Sequence, residues 1–219
     1  MVSKKIHNTF VIVLLILRKI LIKMFEEIYK QIEAEVIKIA YQISIDENQK
    51  NVYSLNIGEL QLRIYTQLEA VLKSKYLKDV NISNKKKPYY DECIKPLGLQ
   101  NKSILVYWVN YHLEKIFYDD VYIKTVNRLM EDGVTPNGND MNYKFNNAYQ
   151  NLRHSFERSL KVYGTIEYLF EALAALFIAL DINSSQIFSK YKIDSTDSDK
   201  VLYWAKGTSS MCLSMEIKK

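Results

Sequence analysis

Four polar side chains recur within residues 141–163 at the spacing of a single helical face. They follow one another at steps of four, three and four and are Asn147, Asn151, His154 and Arg158. An imidazole transfers protons, a guanidinium supplies a fixed cation for phosphate, and amides orient a ligand by hydrogen bonds. Cleavage of RNA through its ribose 2′-hydroxyl needs these groups. The alternative is an ordinary solvated face opposite the apolar side of the helix.

Two further sets of cations are candidates for contacts with RNA. Arg153 precedes His154 and either joins the phosphate contacts or pairs with Glu157, four residues on. A basic run followed by Pro88 and two tyrosines mixes cations with aromatic rings, as a surface for single-stranded nucleic acid does. The cations of that run are Lys85, Lys86 and Lys87. The alternative for the run is a solvated loop.

The sequence lacks the motifs of several classes of protein. It contains no GxxxxGKS/T, GxGxxG or GxSxG sequence, which excludes P-loop nucleotide hydrolases and α/β-hydrolases. Neither Cys93 nor Cys212 belongs to a CxxC pair, and the three histidines have no carboxylate at metal-ligand spacing. We therefore expect no metal and no cofactor. Two free thiols suit a protein of the reducing cytoplasm.

The positive charge is concentrated at the start of the chain. The net charge is +5, and residues 1–24 contain basic residues but no acid, so the rest of the chain is neutral. The basic residues of this segment are Lys4, Lys5, Arg18, Lys19 and Lys23. A protein that binds nucleic acid mainly through phosphates has a basic patch or stripe. Any nucleic-acid site in the neutral part is therefore expected to be small.

Residues 9–17 (TFVIVLLIL) form an apolar run between basic flanks. The run is too short to cross a bilayer, which takes about 20 residues, and no small-residue cleavage site follows it. Three interpretations stay open. Residues 1–23 form a membrane-surface or signal-anchor segment, they form a helix packed on the domain, or translation starts at Met24. The first makes the protein a scaffold with peripheral membrane association.

Two amphipathic helices are predicted after this segment. From Phe25 to Ser44 apolar residues recur at steps of three and four, with charged residues opposite them. The polar stretch from Asp46 to Asn51 ends this pattern, and Ser54 is placed to cap a second helix that runs to about Leu77. Its apolar face is Ile57, Leu60, Ile64, Leu68 and Val71. We expect the two helices to pack as antiparallel neighbours, because each must bury its apolar stripe.

The later part of the chain is also predicted to be mainly helical. Residues 141–163 are predicted to form one helix, Gly164 a break, and residues 165–180 a buried central helix that is apolar on most sides. Residues 103–124 fit a helix or a short strand pair, with a slight preference for the helix.

Together these patterns predict an all-α fold, an antiparallel helical bundle over residues 24–182. We expect residues 1–23 to precede it as a separate segment and residues 183–219 to follow it as a peripheral tail.

Residues Phe145 to Arg158 (FNNAYQNLRHSFER), followed by the Ala- and Leu-rich helix, resemble a group of uncharacterised bacterial proteins. These proteins carry an aromatic residue, then Ala-Tyr-Asn, then a basic residue directly before His. The group is similar to the HEPN superfamily. The resemblance implies a short helical bundle that forms a homodimer. It also implies either a metal-independent RNase of toxin, defence or CRISPR systems, or a non-catalytic binding module.

The sequence departs from the catalytic HEPN pattern, in which four to six residues separate an Arg from the His that follows it. In this chain the corresponding positions before His154 are Asn147, Ala148 and Tyr149. A HEPN-like module that binds RNA or another protein is therefore the favoured hypothesis. The alternative is an RNase that uses His154, Arg153 and Arg158 at a dimer cleft.

Overall fold

The computed structural model describes residues 23–79, 93–94, 97–99, 103–106, 122–125, 128–129, 136–137, 140–182, 185–193 and 201–204. These ranges contain five helices of eight or more residues. They are α1 (residues 23–40), α2 (Leu55–Asp79), α3 (Lys144–His154), α4 (Phe156–Tyr163) and α5 (Ile166–Leu180). The prediction of an all-α helical bundle is confirmed. The apolar run before Lys23, the lysines Lys85 to Lys87 and Cys212 lie outside the described residues.

Helices α1 and α2 form an antiparallel pair. Ser54 caps α2 as predicted, because its Oγ accepts a hydrogen bond from the backbone N–H of Ile57 at 3.2 Å. Glu35 in the second half of α1 pairs with Arg63 in the first half of α2, with 2.7 Å between Oε2 and Nη1. The residues predicted for the apolar face of α2 are all buried. They fill the space that the two helices share with α5.

Helix α5 is the centre of the core. Of its 15 residues 13 are buried, as its apolar sequence predicts, and α2 is its main neighbour. Its first backbone N–H groups have no partner within the helix. Those of Ile166 and Glu167 donate instead to the carbonyl oxygens of Val52 and Lys50, at 3.0 Å each. The segment before α2 therefore holds the start of the central helix.

Helix α4 lies very close to the start of α2. A Cβ atom added at Gly58 would lie 2.7 Å from Cδ1 of Leu160 and 3.1 Å from Cζ of Phe156. Glycine is therefore the residue that lets these two helices approach without displacing either side chain.

A buried carboxylate connects α1 to the region after α5. Glu33 is 3% exposed, and its Oε1 accepts hydrogen bonds from the hydroxyls of Tyr29 and Ser185 and from the backbone N–H of Gln186 at 3.0 Å. Ile187 and Phe188, which follow directly, are buried in the core. The segment 183–219 was predicted to be peripheral. Its residues 187–188 instead belong to the core, because a distant acid on α1 satisfies the polar groups beside them.

Short antiparallel strands accompany the helices. They are β1 (Ser103–Val106), β2 (Tyr122–Thr125), β3 (Arg128–Leu129), β4 (Pro136–Asn137), β5 (Asp140–Tyr143), β6 (Phe188–Ile193) and β7 (Val201–Trp204). Strand β6 lies between β1 and β7, β2 pairs with β5, and β3 pairs with β4.

The slight preference for a helix over residues 103–124 is wrong for residues 103–106, which are extended. The alternative, a short strand pair near residues 103–124, agrees with the structure in that both ends of the stretch are extended. The strands β1 and β2 pair with β6 and β5 and not with each other. Pairing between segments so distant in sequence leaves no local pattern from which it can be predicted.

The Glu33 contacts predict a large effect on stability. We expect Glu33→Ala to lower the free energy of unfolding by about 2 to 3 kcal/mol, because it removes the acceptor of the buried Tyr29 hydroxyl and of the donors at residues 185–187. Urea denaturation followed by circular dichroism measures this change. Glu27→Ala is the matched control on α1, since Glu27 forms only a surface pair with Lys30, and we expect a change within about 0.5 kcal/mol. Equal effects of the two variants would contradict a role for Glu33 in holding residues 185–188.

Candidate functional site

The helix predicted over residues 141–163 is interrupted at Ser155. This residue has φ −151° and ψ 60°, so α3 ends at His154 and α4 begins at Phe156. The Ser155 N–H still donates to the carbonyl oxygen of Asn151 at 2.9 Å, and its own carbonyl oxygen accepts from Ser159 at 2.9 Å. The break therefore retains these two backbone hydrogen bonds on either side of Ser155. The prediction of one continuous helix over residues 141–163 is wrong at this residue and for residues 141–143, which belong to strand β5.

The two amides of the predicted stripe face the interior. Asn147 is 2% exposed and Asn151 is 1% exposed. Asn151 Nδ2 donates to the backbone oxygen and to Oδ1 of Asn147 at 3.0 and 3.1 Å, and Asn147 Nδ2 donates to the Tyr163 hydroxyl at 3.3 Å. Their prediction as outward-facing contacts is corrected, because the sequence spacing cannot distinguish buried amides from solvated ones. They connect α3 to the end of α4.

Tyr163 is a partner that the local pattern did not reveal. It lies 16 residues after Asn147 and is 3% exposed. Burial raises the pKa of its hydroxyl, and the hydrogen bond with Asn147 partly offsets that effect. Its ring also meets Tyr168 of α5 edge to face, with 5.4 Å between centroids. This residue therefore links the amides of α3 to the central helix.

The remaining residues of the predicted site are exposed. Arg153, His154 and Arg158, which we call the basic surface, flank the break at Ser155. The Arg153 guanidinium lies 5.9 Å from the ring centre of Tyr149. No ion pair involving these three side chains occurs among the described residues, so Arg153 does not pair with Glu157 there. Their charged and polar groups are available to a ligand.

The start of α4 adds a partial positive charge to this surface. No side chain caps the helix: Ser155 is the N-cap residue, and it makes no side-chain cap hydrogen bond. The first N–H groups of a helix without a cap attract anions. Glu157 in the first turn offsets part of this field. Arg153, His154 and Arg158 are thus exposed and lie within three residues of the N-cap of a helix, and cations in such a region favour a phosphate group.

A second polar cluster was not anticipated from the sequence. Its members are Lys144, Glu167, Tyr168 and Glu171, which we call the Lys144 cluster. Lys144 at the start of α3 forms ion pairs with both carboxylates, at 3.1 Å to Oε1 of Glu171, and its Nζ lies 5.3 Å from the ring centre of Tyr168. The i, i+4 spacing of the two acids is the only local signal for this cluster, and it is common on helix surfaces.

The charges in the Lys144 cluster shift one another's pKa. Burial raises the pKa of Glu171 to about 7, although the Lys144 ammonium opposes the rise. Burial by itself lowers the pKa of Lys144, but attraction from Glu171 and the hydrogen bond with Glu167 raise it above its ordinary value. Glu171 is therefore a buried carboxyl group that takes up a proton near neutral pH.

The part of the chain that the structure describes has no candidate metal site and no membrane-spanning helix. No group of three His, Cys, Asp or Glu residues there is arranged to hold a metal ion. Within the same ranges, no helix combines the length and the apolar character needed to cross a membrane. Cys93 is buried.

Comparison with known proteins gave no match. Protein-family models, curated proteins and solved structures contain nothing significantly similar to this chain. The basic surface and the Lys144 cluster are therefore the features that bear on function.

The raised pKa of Glu171 predicts a pH dependence of stability. A carboxyl group with a pKa of about 7 in the folded state and 4.5 as its ordinary value binds protons more tightly when folded. The contribution of this group to the free energy of unfolding is fully present below pH 4.5 and is lost as the pH rises through 7. Relative to Glu171→Gln, which does not titrate, the wild type should lose up to about 3 kcal/mol between pH 5 and 8.

Urea denaturation at a series of pH values measures this difference. Glu69→Gln is a control for loss of a carboxylate from a helix-surface ion pair, since Glu69 pairs with Lys73 on α2. Parallel pH profiles for the wild type and Glu171→Gln would contradict the raised pKa.

Proposed function

We propose that this protein is a HEPN-like RNA-binding module and that the basic surface contacts RNA phosphates. One observation carries the proposal. Arg153, His154 and Arg158 are exposed on either side of the break at Ser155, and Ser155, the N-cap residue of α4, makes no side-chain cap hydrogen bond. Guanidinium groups bind phosphate through paired hydrogen bonds, and helix N-termini favour anions. The resemblance of residues 145–158 to HEPN-like proteins supports the same ligand.

The size of this surface indicates modest affinity. Two guanidinium groups and one imidazole neutralise only a few phosphates, and the chain after residue 24 has no excess of basic residues. Such a site binds single-stranded RNA with a shallow salt dependence. The Tyr149 ring beneath Arg153 holds that guanidinium partly in place, which lowers the entropic cost of binding.

The residues of the site favour RNA binding without RNA cleavage. The position that a catalytic cation occupies in related RNases corresponds here to Asn147, Ala148 or Tyr149. Asn147 is buried and engaged with Asn151 and Tyr163, and an amide carries no charge. Both arginines of the basic surface therefore come after Asn151 in the chain, and none stands at residues 147–149.

The proposal predicts that the double variant Arg153→Gln, Arg158→Gln binds single-stranded RNA at least about tenfold more weakly than the wild type. The slope of log affinity against log salt should become shallower by about 1.4, because two phosphate contacts are lost. Fluorescence anisotropy with a labelled unstructured RNA at several salt concentrations measures both quantities.

The double variant Lys30→Gln, Lys50→Gln is the matched control for charge, since it removes two cations that form ion pairs with Glu27 and Glu47. We expect its affinity and salt slope to match those of the wild type. The same loss of affinity in the control and in the arginine double variant would show that general charge, and not the basic surface, binds RNA. Wild type that does not bind RNA would overturn the proposal.

A metal-independent RNase is the second candidate, and the exposure of His154 between two arginines favours it. An accessible imidazole exchanges protons with a ribose hydroxyl or a leaving oxygen. The arginines would then hold the phosphate that is attacked. The same side chains would serve binding and cleavage in this case.

One experiment separates the two candidates. We expect the wild type to bind RNA and leave it intact in the presence of a metal chelator, and we expect His154→Gln to retain measurable binding because both guanidinium groups remain. Gel analysis of labelled RNA after incubation measures cleavage. If the wild type cleaves RNA, and His154→Gln abolishes cleavage but retains binding, the nuclease hypothesis would be favoured over the binding-module hypothesis.

A further inference from the structure

Four aromatic rings form a continuous stack that ends beside Arg153. Tyr143 stacks on Phe145 with 5.6 Å between ring centroids, and Phe145 stacks on Tyr65 at 6.0 Å. Tyr65 in turn stacks on Tyr149 at 4.8 Å. Tyr65 belongs to α2, whereas the other three rings belong to β5 and α3. The stack therefore crosses the contact between α2 and α3.

The inner part of this stack is fixed in place. Tyr143, Phe145 and Tyr65 are fully or almost fully buried, and the Tyr65 hydroxyl donates a hydrogen bond to the carbonyl oxygen of Phe145. Ring pairs at these separations attract each other beyond the effect of burial alone. Tyr149 is 9% exposed, the largest exposure among the four rings. The stack is thus rigid in the core and reaches the protein surface at Tyr149.

Arg153 continues the stack by one member. It lies one turn after Tyr149 in α3, and the central carbon of its guanidinium is 5.9 Å from the Tyr149 ring centre. A cation at this distance from a ring is held by the ring's negative face. Arg153 is exposed although Tyr149 is buried. The Tyr149 ring therefore restrains a flat cation at the surface, and such a cation stacks readily on a second flat group.

We propose that an unpaired RNA base stacks on the guanidinium of Arg153 as the next member of this stack. The inference rests on the proposed function and names its ligand class, which is RNA whose bases are not paired. Unpaired bases stack on aromatic rings and on guanidinium planes. Every base has a flat face, so the contact selects single-stranded RNA without selecting a sequence. The N–H groups of Arg153 lie in the guanidinium plane and still reach a phosphate.

Two labelled strands of about ten nucleotides test this contact. One is an oligoadenylate, and the other is an abasic ribose-phosphate strand of the same length, which carries the same phosphates and no bases. We expect the wild type to bind the oligoadenylate at least about fivefold more tightly in fluorescence anisotropy. Arg153→Lys should bind the two strands alike, because lysine has no flat face. Lysine keeps the charge, so the salt slope should not change.

Arg158→Lys is the matched control. It makes the same change at the other exposed arginine of the basic surface, for which no ring contact occurs in the described part of the chain. We expect this variant to keep the preference for the strand with bases. Arg153 and Arg158 are both exposed, so circular dichroism should show unchanged folding for both lysine variants.

Two variants of Tyr149 test the ring that restrains Arg153. Tyr149→Leu should lose most of the preference although both arginines remain, and Tyr149→Phe, which keeps the ring, should retain it. Equal affinity of the wild type for the two strands, or a preference that Arg153→Lys leaves unchanged, would overturn the stacking contact and leave phosphate binding by the basic surface intact. Wild type that binds neither strand would overturn the proposed function as well, so the two failures are distinguishable.

Discussion

Burial of α5 is the constraint on which the rest of the structure depends. A helix that is apolar on nearly every side must be surrounded, because each exposed apolar side chain would cost about 1.5 to 3 kcal/mol. Helix α2 covers one side of it, and α3 and the segment beginning at Phe188 contact others. Alanines at positions 172, 174, 175 and 179 of α5 are all fully buried, and their small size permits close packing. The neighbouring elements are thereby fixed around one axis.

Glu171 is the exception within this helix and connects the core to the candidate site. A carboxyl group in the buried part of α5 needs a partner, and Lys144 at the first residue of α3 supplies it. The start of α3 is fixed in this way to α5, while Asn147 and Tyr163 fix its middle to the end of α4. With both attachments in place, Ser155 is partly buried, and Arg153 and Arg158 on either side of it are exposed. The exposure of Arg153 and Arg158 is thus a consequence of polar contacts made deeper in the bundle.

The sequence predicted the parts of the fold in which the apolar pattern is regular. The Ser54 cap, the buried face of α2 and the central position of α5 follow from local spacing, because burial at steps of three and four leaves a clear pattern. Polar residues gave no such guidance. Asn147 and Asn151 have the spacing of a solvated stripe, yet Tyr163 makes their burial favourable. The break at Ser155 left only one weak signal, a serine that is common at helix starts.

Contacts between distant segments were beyond prediction for a related reason. Ser185 lies 152 residues from Glu33, and neither residue has an unusual local context. The all-α helical core could be predicted because it depends on local spacing. The pairing of β1 with β6 could not, because it joins distant segments. What the local pattern does specify is the set of faces that need partners.

The Glu33 contacts also define how much of the chain is needed for autonomous folding. A chain ending at Ile182 would keep all five helices, yet it would lose the hydroxyl and N–H groups that solvate this carboxylate inside the protein. It would also lose Phe188, whose ring meets Phe170 and Phe177 of α5. A unit that keeps these contacts is therefore longer than the set of helices and extends at least to Phe188.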